Sequence, residues 1–258
     1  MTSILKYARP LAAALILAAL SPSPAVAGSL IEIPFDAGNF SDPLDIDNPY
    51  WPLVPGTTFV YYAEGEDECE LNVFTVTDLE KPITIGADTI MTRVVEDLAW
   101  LDQDCDGTGD VLEERTFDWH AQDDDGNIWY FGEDTRARCE DGTLCNPAGS
   151  WEAGIDGAAP GIIMLAAPMT GDRYYQEFYA GEAEDQAKVL RLGAPVTLEF
   201  DNELATSDFA GCVKTKEWTA LAPGLVEHKY YCPGTGLVLV EELKEKTLIV
   251  ELIAINVD

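Results

Sequence analysis

The sequence predicts a mainly β protein, built as an antiparallel open barrel or strongly curved sheet with one short helix and stapled by disulfides. Three observations support this prediction. Runs of β-branched and aromatic residues that alternate with polar ones recur along the 258 residues. Glycine, proline and Asp-Gly turn signals separate these runs. Six cysteines, an even number, are typical of a disulfide framework.

Residues 1–27 have the three parts of a secretory signal peptide. Lys6 and Arg9 form a basic region, residues 11–20 an apolar stretch, and residues 25–27 (Ala-Val-Ala) a cleavage site of small side chains. The apolar stretch is too short to remain as a membrane anchor. We therefore expect an exported protein, periplasmic or extracellular, without integral membrane contact.

The net charge limits the kinds of molecule that this protein can bind. Without the signal peptide the chain has 13 basic and 47 acidic residues, a net charge of about −34. Such a surface repels nucleic acid and attracts cations. The composition thus predicts no nucleic-acid partner. Residues 28–50, rich in Asp, Pro and Asn, are expected to form an extended lead-in, and residues 51–258 a single β-rich domain.

The expected strands follow one another with turns between them. Their alternating or β-rich patterns cover residues 57–62, 70–76, 89–100, 112–121, 128–131, 213–218, 225–231, 237–242 and 246–257. The one expected helix covers residues 181–190, where acidic residues precede an alanine- and leucine-containing run.

The loop at 102–113 has the ligand spacing of a calcium loop of the EF-hand type. Carboxylates occupy positions 1, 3, 5, 9 and 12, glycine occupies position 6, and a backbone carbonyl is available at position 7. The predicted calcium ligands are Asp102, Asp104, Asp106, Thr108, Asp110 and Glu113.

Both flanks of this loop have strand patterns, whereas an EF-hand has helices there. Gly109 also replaces the apolar residue expected at loop position 8. We therefore predict a calcium loop at the tip of a β-hairpin, related to the EF-hand by chemistry and not by fold. The alternative is a solvated acidic turn.

The setting of the cysteines favours one of their fifteen possible pairings. Cys139 and Cys145 flank an Asp-Gly turn, and Cys212 and Cys232 lie on two β-rich runs joined by a Pro-Gly turn. The remaining pair, Cys69 with Cys105, would tie the calcium loop to a neighbouring hairpin.

An aromatic cluster is the candidate ligand face. Phe117, Trp119, Trp129 and Phe131 fall at period 2 on two expected strands, with Tyr130 beside them. Of these we take Trp119, Trp129 and Tyr130 as ligand-binding candidates. The alternative is core packing, since alternation is also how a strand buries one face.

Acidic residues near the expected helix are the candidates for a second site. Glu177, Glu182, Glu184 and Asp185 could contact a ligand, or supply the acid and base of a glycosidic hydrolysis. The alternative is a solvated helix start. No nucleophile elbow, zinc motif or phosphate loop occurs, and so no catalytic residue is assigned.

Several segments together carry a resemblance. They are residues 48–57 (NPYWPLVPGT), 126–135 (GNIWYFGEDT), 149–154 (GSWEAG), 160–164 (PGIIM), 176–185 (QEFYAGEAED), 215–219 (TKEWT) and 229–238 (KYYCPGTGLV). With them the chain resembles a group of uncharacterised exported bacterial proteins. Its ending is similar to those of periplasmic proteins built as open, curved antiparallel sheets, and the calcium-type loop looks like an insertion in this member.

The function expected from the sequence is that of an exported, non-enzymatic β protein that a calcium ion stabilises and that binds a small or extended ligand. One alternative is a secreted hydrolase that uses a carboxylate pair on a glycan or polymer. Another is a structural component of the cell surface.

Overall fold

The computed structural model describes residues 30–65, 69–243 and 248–257. The expected signal peptide at 1–27 lies outside this part. Within it, the chain forms fifteen β-strands and one 3-10 turn, Ala37–Asn39. The strands are β1 (Thr57–Glu64), β2 (Cys69–Ile85), β3 (Asp88–Asp102), β4 (Val111–Gln122), β5 (Ile128–Arg138), β6 (Leu144–Asn146), β7 (Trp151–Glu152), β8 (Ala159–Met164), β9 (Arg173–Tyr175), β10 (Glu177–Phe178), β11 (Asp185–Thr197), β12 (Asp208–Thr219), β13 (Val226–Cys232), β14 (Gly236–Glu242) and β15 (Leu248–Val257).

All these strands belong to one sheet with antiparallel pairing. Its order is β10-β8-β5-β4-β3-β2-β1-β15-β14-β13-β12-β11-β9, and β6 and β7 also pair with β5. The two edge strands, β9 and β10, are consecutive in the chain. Between them, the backbone N of Gln176 donates to the carbonyl O of Asp185 at 2.8 Å. Because one residue separates β9 from β10, the two edges of the sheet lie side by side and the sheet forms a nearly closed barrel. The predicted antiparallel, barrel-like architecture is therefore confirmed.

The prediction of a helix at 181–190 is wrong. Residues 181–182 lie in a turn, and Asp185–Thr197 is strand β11. Ala187 and Val189 are fully buried at period 2, and this stretch pairs with β9 on one side and β12 on the other. Two sets of cross-strand hydrogen bonds and an apolar face outweigh the local helix preference of the acidic and alanine residues.

The three disulfides have the pairings favoured by the sequence: Cys69–Cys105, Cys139–Cys145 and Cys212–Cys232. The first links the start of β2 to the loop between β3 and β4. No helix in the described residues is long and apolar enough to cross a membrane.

The described part of the lead-in packs on the outer face of the sheet. Phe35 and Phe40 contact Trp129 and Phe131, with ring centroids 5.9–6.1 Å apart in edge-on arrangements. Trp51 lies further along and is buried against Phe74 and Tyr231. Phe35 and Phe40 thus cover one face of β5, whereas Trp51 packs against β2 and β13.

Candidate functional site

A set of polar side chains is buried on the inner face of β3, β4 and β5. Residues paired directly across antiparallel strands share a face. Asp118 pairs with Glu133, and His120 with Tyr130. Asp97 of β3 pairs with Thr116 and so lies on the same face. With Glu177 of β10, these side chains form what we call the interior polar cluster: Asp97, Asp118, His120, Tyr130, Glu133 and Glu177.

Tyr130 joins two of the carboxyl groups. Its hydroxyl lies 2.6 Å from Asp118 Oδ1 and 2.9 Å from Glu133 Oε2. The hydroxyl has one hydrogen to donate, so the second contact is a hydrogen bond only when that carboxyl is protonated. Burial, followed by the charges of Asp118, Glu133 and Glu177, raises the Tyr130 pKa well above its ordinary value. The phenol therefore stays neutral.

Aromatic rings line the cluster. The indole Nε1 of Trp151 donates to Glu177 Oε2 at 3.0 Å, and the same ring lies edge-on to Tyr130 at 5.5 Å between centroids. The ring centroid of His120 lies 5.0 Å from that of Tyr130 and 6.0 Å from that of Trp51. Carboxyl groups and the faces or edges of rings thus alternate along this part of the interior.

Two members of the cluster have no hydrogen-bond partner among the described residues. Both carboxyl oxygens of Asp97, which is 2% exposed, lack one, and so do both ring nitrogens of His120, which is 0% exposed. Burial, and then the Asp118 charge, raises the pKa of Asp97 to about 8. Burial lowers the pKa of His120 to about 3. At neutral pH Asp97 is therefore mostly protonated and His120 is neutral.

A small apolar pocket adjoins Asp97. Phe74, which pairs with Asp97 across the sheet, and Tyr61 both line it. The pKa of Tyr61 is raised, first by burial and then by the Asp97 charge, which places the two groups close together. The remaining walls are Trp51, Pro52, Leu53, Phe59, Thr235, Gly236 and Leu237.

The predicted calcium loop joins β3 to β4, and it gathers three of its six candidate ligands. Ligand oxygens of Asp102, Asp104 and Asp106 lie within 4.8 Å of one another. Asp102 is buried, and its carboxylate accepts hydrogen bonds from the backbone N of Asp106 at 3.2 Å and of Gly107 at 2.7 Å. The Asp106 charge, followed by burial, raises the pKa of Asp104. Negative charge is therefore crowded at this point.

The other three candidates are arranged differently. The backbone N of Thr108 donates to Asp106 Oδ1 at 2.9 Å, and Asp110 accepts from the backbone N of Gln103 at 2.9 Å. Glu113 lies on β4, and its Oε1 is 3.9 Å from Arg138 Nε. In the part of the chain that the structure describes, the compact carboxylate group contains neither Asp110 nor Glu113.

The three candidate ligand-face rings are not brought together. Trp129 and Tyr130 are consecutive on β5, so they lie on opposite faces of the sheet. Trp129 donates from Nε1 to Asp123 Oδ2 at 2.8 Å beneath the lead-in. Trp119 lies under the ammonium of Lys81, 3.6 Å from the ring centroid. Only Tyr130 belongs to the interior polar cluster.

The four candidate carboxylates at 177–185 lie in different settings. Glu177 is buried in the interior polar cluster, whereas Glu182 is exposed. Glu184 accepts from the backbone N of Gly181 at 2.9 Å, and Asp185 begins β11. Of the four, Glu177 is the one that is fully buried.

Sequence reasoning missed Asp97, Asp118 and Glu133. A signal was present for Asp97, because it occupies an alternate position in a strand pattern whose neighbours on the same face are the apolar residues Val95 and Ala99. Val95 is fully buried. Acidic residues at core positions of a strand pattern are worth examining, because burying a carboxyl group is costly.

No family model and no curated protein matches this chain. Two solved structures are similar in fold. One is described as a "putative lipoprotein" from Parabacteroides distasonis, with 11% identity, a TM-score of 0.40, and coverage of 81% of this chain and 99% of that one. The other is described as a "putative exported protein" with a YmcC-like fold from Bacteroides fragilis, with 13% identity, a TM-score of 0.38, and coverage of 80% and 98%.

Proposed function

We propose that this chain is an exported, non-enzymatic protein that binds a small ligand at the interior polar cluster and is stabilised by calcium at the β3–β4 loop. One observation carries the binding proposal. Asp97 and His120 are buried with polar atoms that have no hydrogen-bond partner among the described residues. An unpaired buried polar group costs about 1–3 kcal/mol, so its presence needs an explanation, and a ligand that pairs with Asp97 and His120 supplies one.

Export is supported by the disulfides. All six cysteines are paired, and disulfides persist in oxidising compartments outside the cytoplasm. This agrees with the basic, apolar and small-residue pattern of residues 1–27.

The ligand-binding proposal is tested by a thermal-shift screen with sets of cationic, neutral and anionic solutes. The wild-type protein is compared with Asp97→Leu, which removes the unpaired acceptor. Glu251→Gln is the control, because it alters a buried carboxyl group elsewhere that accepts from the backbone N of Glu199 and Phe200. We expect at least one set to raise the melting temperature of the wild type and of the control but not of Asp97→Leu. If no set does so, the binding proposal is refuted.

The donor chemistry of the loop supports calcium as its ion. Three carboxylates provide hard oxygen ligands within 4.8 Å. Asp102 is already oriented by two backbone N–H groups, and the Cys69–Cys105 disulfide holds the loop to β2. Asp102, Asp104 and Asp106 would hold the ion. Glu113 would contribute only by leaving Arg138.

Calorimetry of chelator-treated protein tests the calcium proposal, with magnesium for comparison. We expect saturable calcium binding at one site and a higher melting temperature. Asp104→Asn combined with Asp106→Asn should abolish both effects, and the exposed control Asp201→Asn should not. Weak binding of calcium and magnesium with equal affinity would show that the loop is a solvated acidic turn and would refute the calcium proposal.

A further inference from the structure

Basic side chains form a row across β9, β11, β12 and β13. Arg173 pairs with Lys188, Lys188 pairs with Lys216, and Lys216 pairs with His228. Residues that pair directly across antiparallel strands share a face of the sheet. Neighbouring strands lie about 4.8 Å apart, so the row is about 14 Å long. Together with the neighbouring pair Arg191 and Lys214, these residues form what we call the cationic strip: Arg173, Lys188, Arg191, Lys214, Lys216 and His228.

The cationic strip lies on the outside of the barrel. Each of its six side chains is half-buried or exposed. The residues that alternate with them along β11 and β12, such as Ala187 and Thr215, are fully buried. The strands of the strip contribute no residue to the interior polar cluster. The strip is therefore a separate surface from the binding site proposed above.

Most cations of the strip lack an acidic partner. Elsewhere in the described residues, each exposed or half-exposed basic side chain forms an ion pair with a carboxylate, as Lys81 does with Glu152 and Arg115 with Glu96. Within the strip, Lys214 and His228 contact a carboxylate, that of Glu241. The other four have no ion pair with any described residue: Arg173, Lys188, Arg191 and Lys216.

The strip places cations directly opposite cations. Like charges in this position destabilise a sheet, and the chain has 47 acidic residues against 15 basic ones from which to choose a partner. Burial and then the Lys214 charge lower the pKa of His228, with a smaller contribution from Lys216 and against the opposing effect of Glu241. An arrangement that costs stability needs an explanation, and an anionic ligand that lies across the strip supplies one.

An aromatic ring lies among these charges. Trp218 is half-buried and shares a face of β12 with Lys216, two residues away. The guanidinium of Arg173 and the ammonium of Lys216 lie 5.4 Å and 5.3 Å from the centroid of its ring. An indole offers a large apolar surface beside these cations. A chain of acidic sugars carries anionic groups at regular intervals with apolar C–H faces between them, and so it matches both kinds of surface.

The acidic remainder of the protein limits the size of the partner. The net charge of −32 repels an extended anionic surface such as a membrane, because a membrane faces many of the acidic residues at once. A short chain that lies on the strip meets mainly the cations, since charges more than about 10 Å away are largely screened at about 0.1 M salt. An oligosaccharide therefore fits this surface better than a bilayer or a long polyanion does.

We propose that the cationic strip binds an acidic oligosaccharide that has a carboxylate or a sulfate on its successive sugars. The anionic groups pair with Arg173, Lys188 and Lys216, and one sugar ring packs on Trp218. Binding here does not depend on a ligand in the interior polar cluster.

His228 should report the bound anion. The charged and titratable groups that face it are Lys214 and Lys216 on β12, Tyr230 on β13 and Glu241 on β14. An anion beside Lys216 offsets the positive charge that lowers the His228 pKa, so binding should raise this pKa. Affinity should therefore increase as pH falls through the titration of His228. The second of the two histidines, His120, is buried with a pKa of about 3 and should not respond.

The experiment is calorimetric titration of the purified protein with tetragalacturonate, which carries carboxylates, and with a heparin-derived tetrasaccharide, which also carries sulfates. Salt is kept at about 0.1 M. Maltotetraose provides a neutral chain of the same length. Tetrathymidylate and vesicles of phosphatidylglycerol and phosphatidylcholine provide the other kinds of anion. NMR spectra of the histidine ring C–H groups, recorded against pH with and without the sugar, measure the His228 pKa.

We expect an acidic tetrasaccharide to bind saturably and to raise the His228 pKa. Lys188→Gln combined with Lys216→Gln should weaken binding about tenfold or more. This variant should melt no lower than the wild type, because it removes opposed like charges. Lys188→Arg combined with Lys216→Arg should retain binding. The control, Arg115→Gln combined with Arg136→Gln, removes two exposed cations from β4 and β5 and should bind within about twofold of the wild type.

Three results would overturn the inference. The first is that neither acidic tetrasaccharide binds, or that maltotetraose binds equally well. The second is that the glutamine variant of the strip and the control variant lose affinity equally, since total charge alone would then govern binding. The third is tighter binding of tetrathymidylate or of the vesicles, which would identify a different class of partner.

Discussion

Asp97→Asn should make the protein more stable, by an amount that grows with pH. Folding raises the pKa of Asp97 from 3.8 to about 8, chiefly because the carboxyl group is buried. Between these two values the folded protein holds a proton that the unfolded chain has released. Stability therefore falls as pH rises through this window. Asparagine has nearly the same shape and never ionises, so the variant escapes this loss.

The size of the stability difference follows from the pKa shift of Asp97. Each pKa unit corresponds to about 1.36 kcal/mol, so a shift of about four units costs the wild type about 5–6 kcal/mol once Asp97 is fully ionised. The difference in unfolding free energy between Asp97→Asn and the wild type should widen by about 4 kcal/mol between pH 5 and pH 9. Taking a difference between two proteins cancels the other titrating groups that they share.

Urea unfolding at pH 5, 7 and 9, followed by tryptophan fluorescence with the disulfides intact, measures this difference. Asp88→Asn, an exposed position at the start of the same strand, controls for the change in formal charge. If the profiles of Asp97→Asn and the wild type remained parallel within about 1 kcal/mol, Asp97 would be solvated in the folded protein. The electrostatic description of the interior polar cluster would then be wrong.

Two further predictions concern stability. Lys229 is buried 3.0 Å from Glu217 and 3.1 Å from a second glutamate, so Lys229→Met should lower the unfolding free energy by about 3–5 kcal/mol in urea titrations. Lys81→Met, which breaks a half-exposed ion pair, should cost at most about 1 kcal/mol; equal losses would contradict the difference in burial. Gly132 has φ +126°, and an added Cβ would lie 2.2 Å from a carbonyl oxygen of β7, so Gly132→Ala should lower the melting temperature sharply, with a loss of about 3 kcal/mol or more. Gly157→Ala has positive φ but open space around it, and a loss there as large as at position 132 would show that the clash is not the cause.

Local pattern was sufficient for much of the fold. The strand runs kept their alternation because period-2 burial is a property of the backbone itself. The cysteine pairings followed from turns that bring their flanks together, as at Cys139 and Cys145. The helix expected at 181–190 failed for the opposite reason. Its residues tolerate a helix, and the partners that make them a strand lie on β9 and on β12, at a distance in sequence.

The two candidate sites differ in the same way, since one depends on residues close in sequence and the other does not. The acidic spacing at 102–110 is local, and three of its carboxylates converge because a tight loop is specified by its own residues and its glycine at position 107. The interior polar cluster is not local. Asp97, Asp118, Glu133 and Glu177 are ordinary acids among the 47 of this chain until the sheet curls and places them on one buried face.

By itself, the sequence determined the β class, the Cys139–Cys145 pair and the acidic loop, because each depends on residues close together in the chain. The Cys69–Cys105 pair, 36 residues apart, followed as the remainder once the other two pairs were assigned. The tertiary structure decided which of the aromatic residues face inward and that Glu177 binds Trp151 beside Tyr130. It also decided that Asp97 is buried without a hydrogen-bond partner among the described residues. The physical reason is that burial and electrostatic coupling are set by neighbours from distant strands, and a one-dimensional pattern does not contain those neighbours.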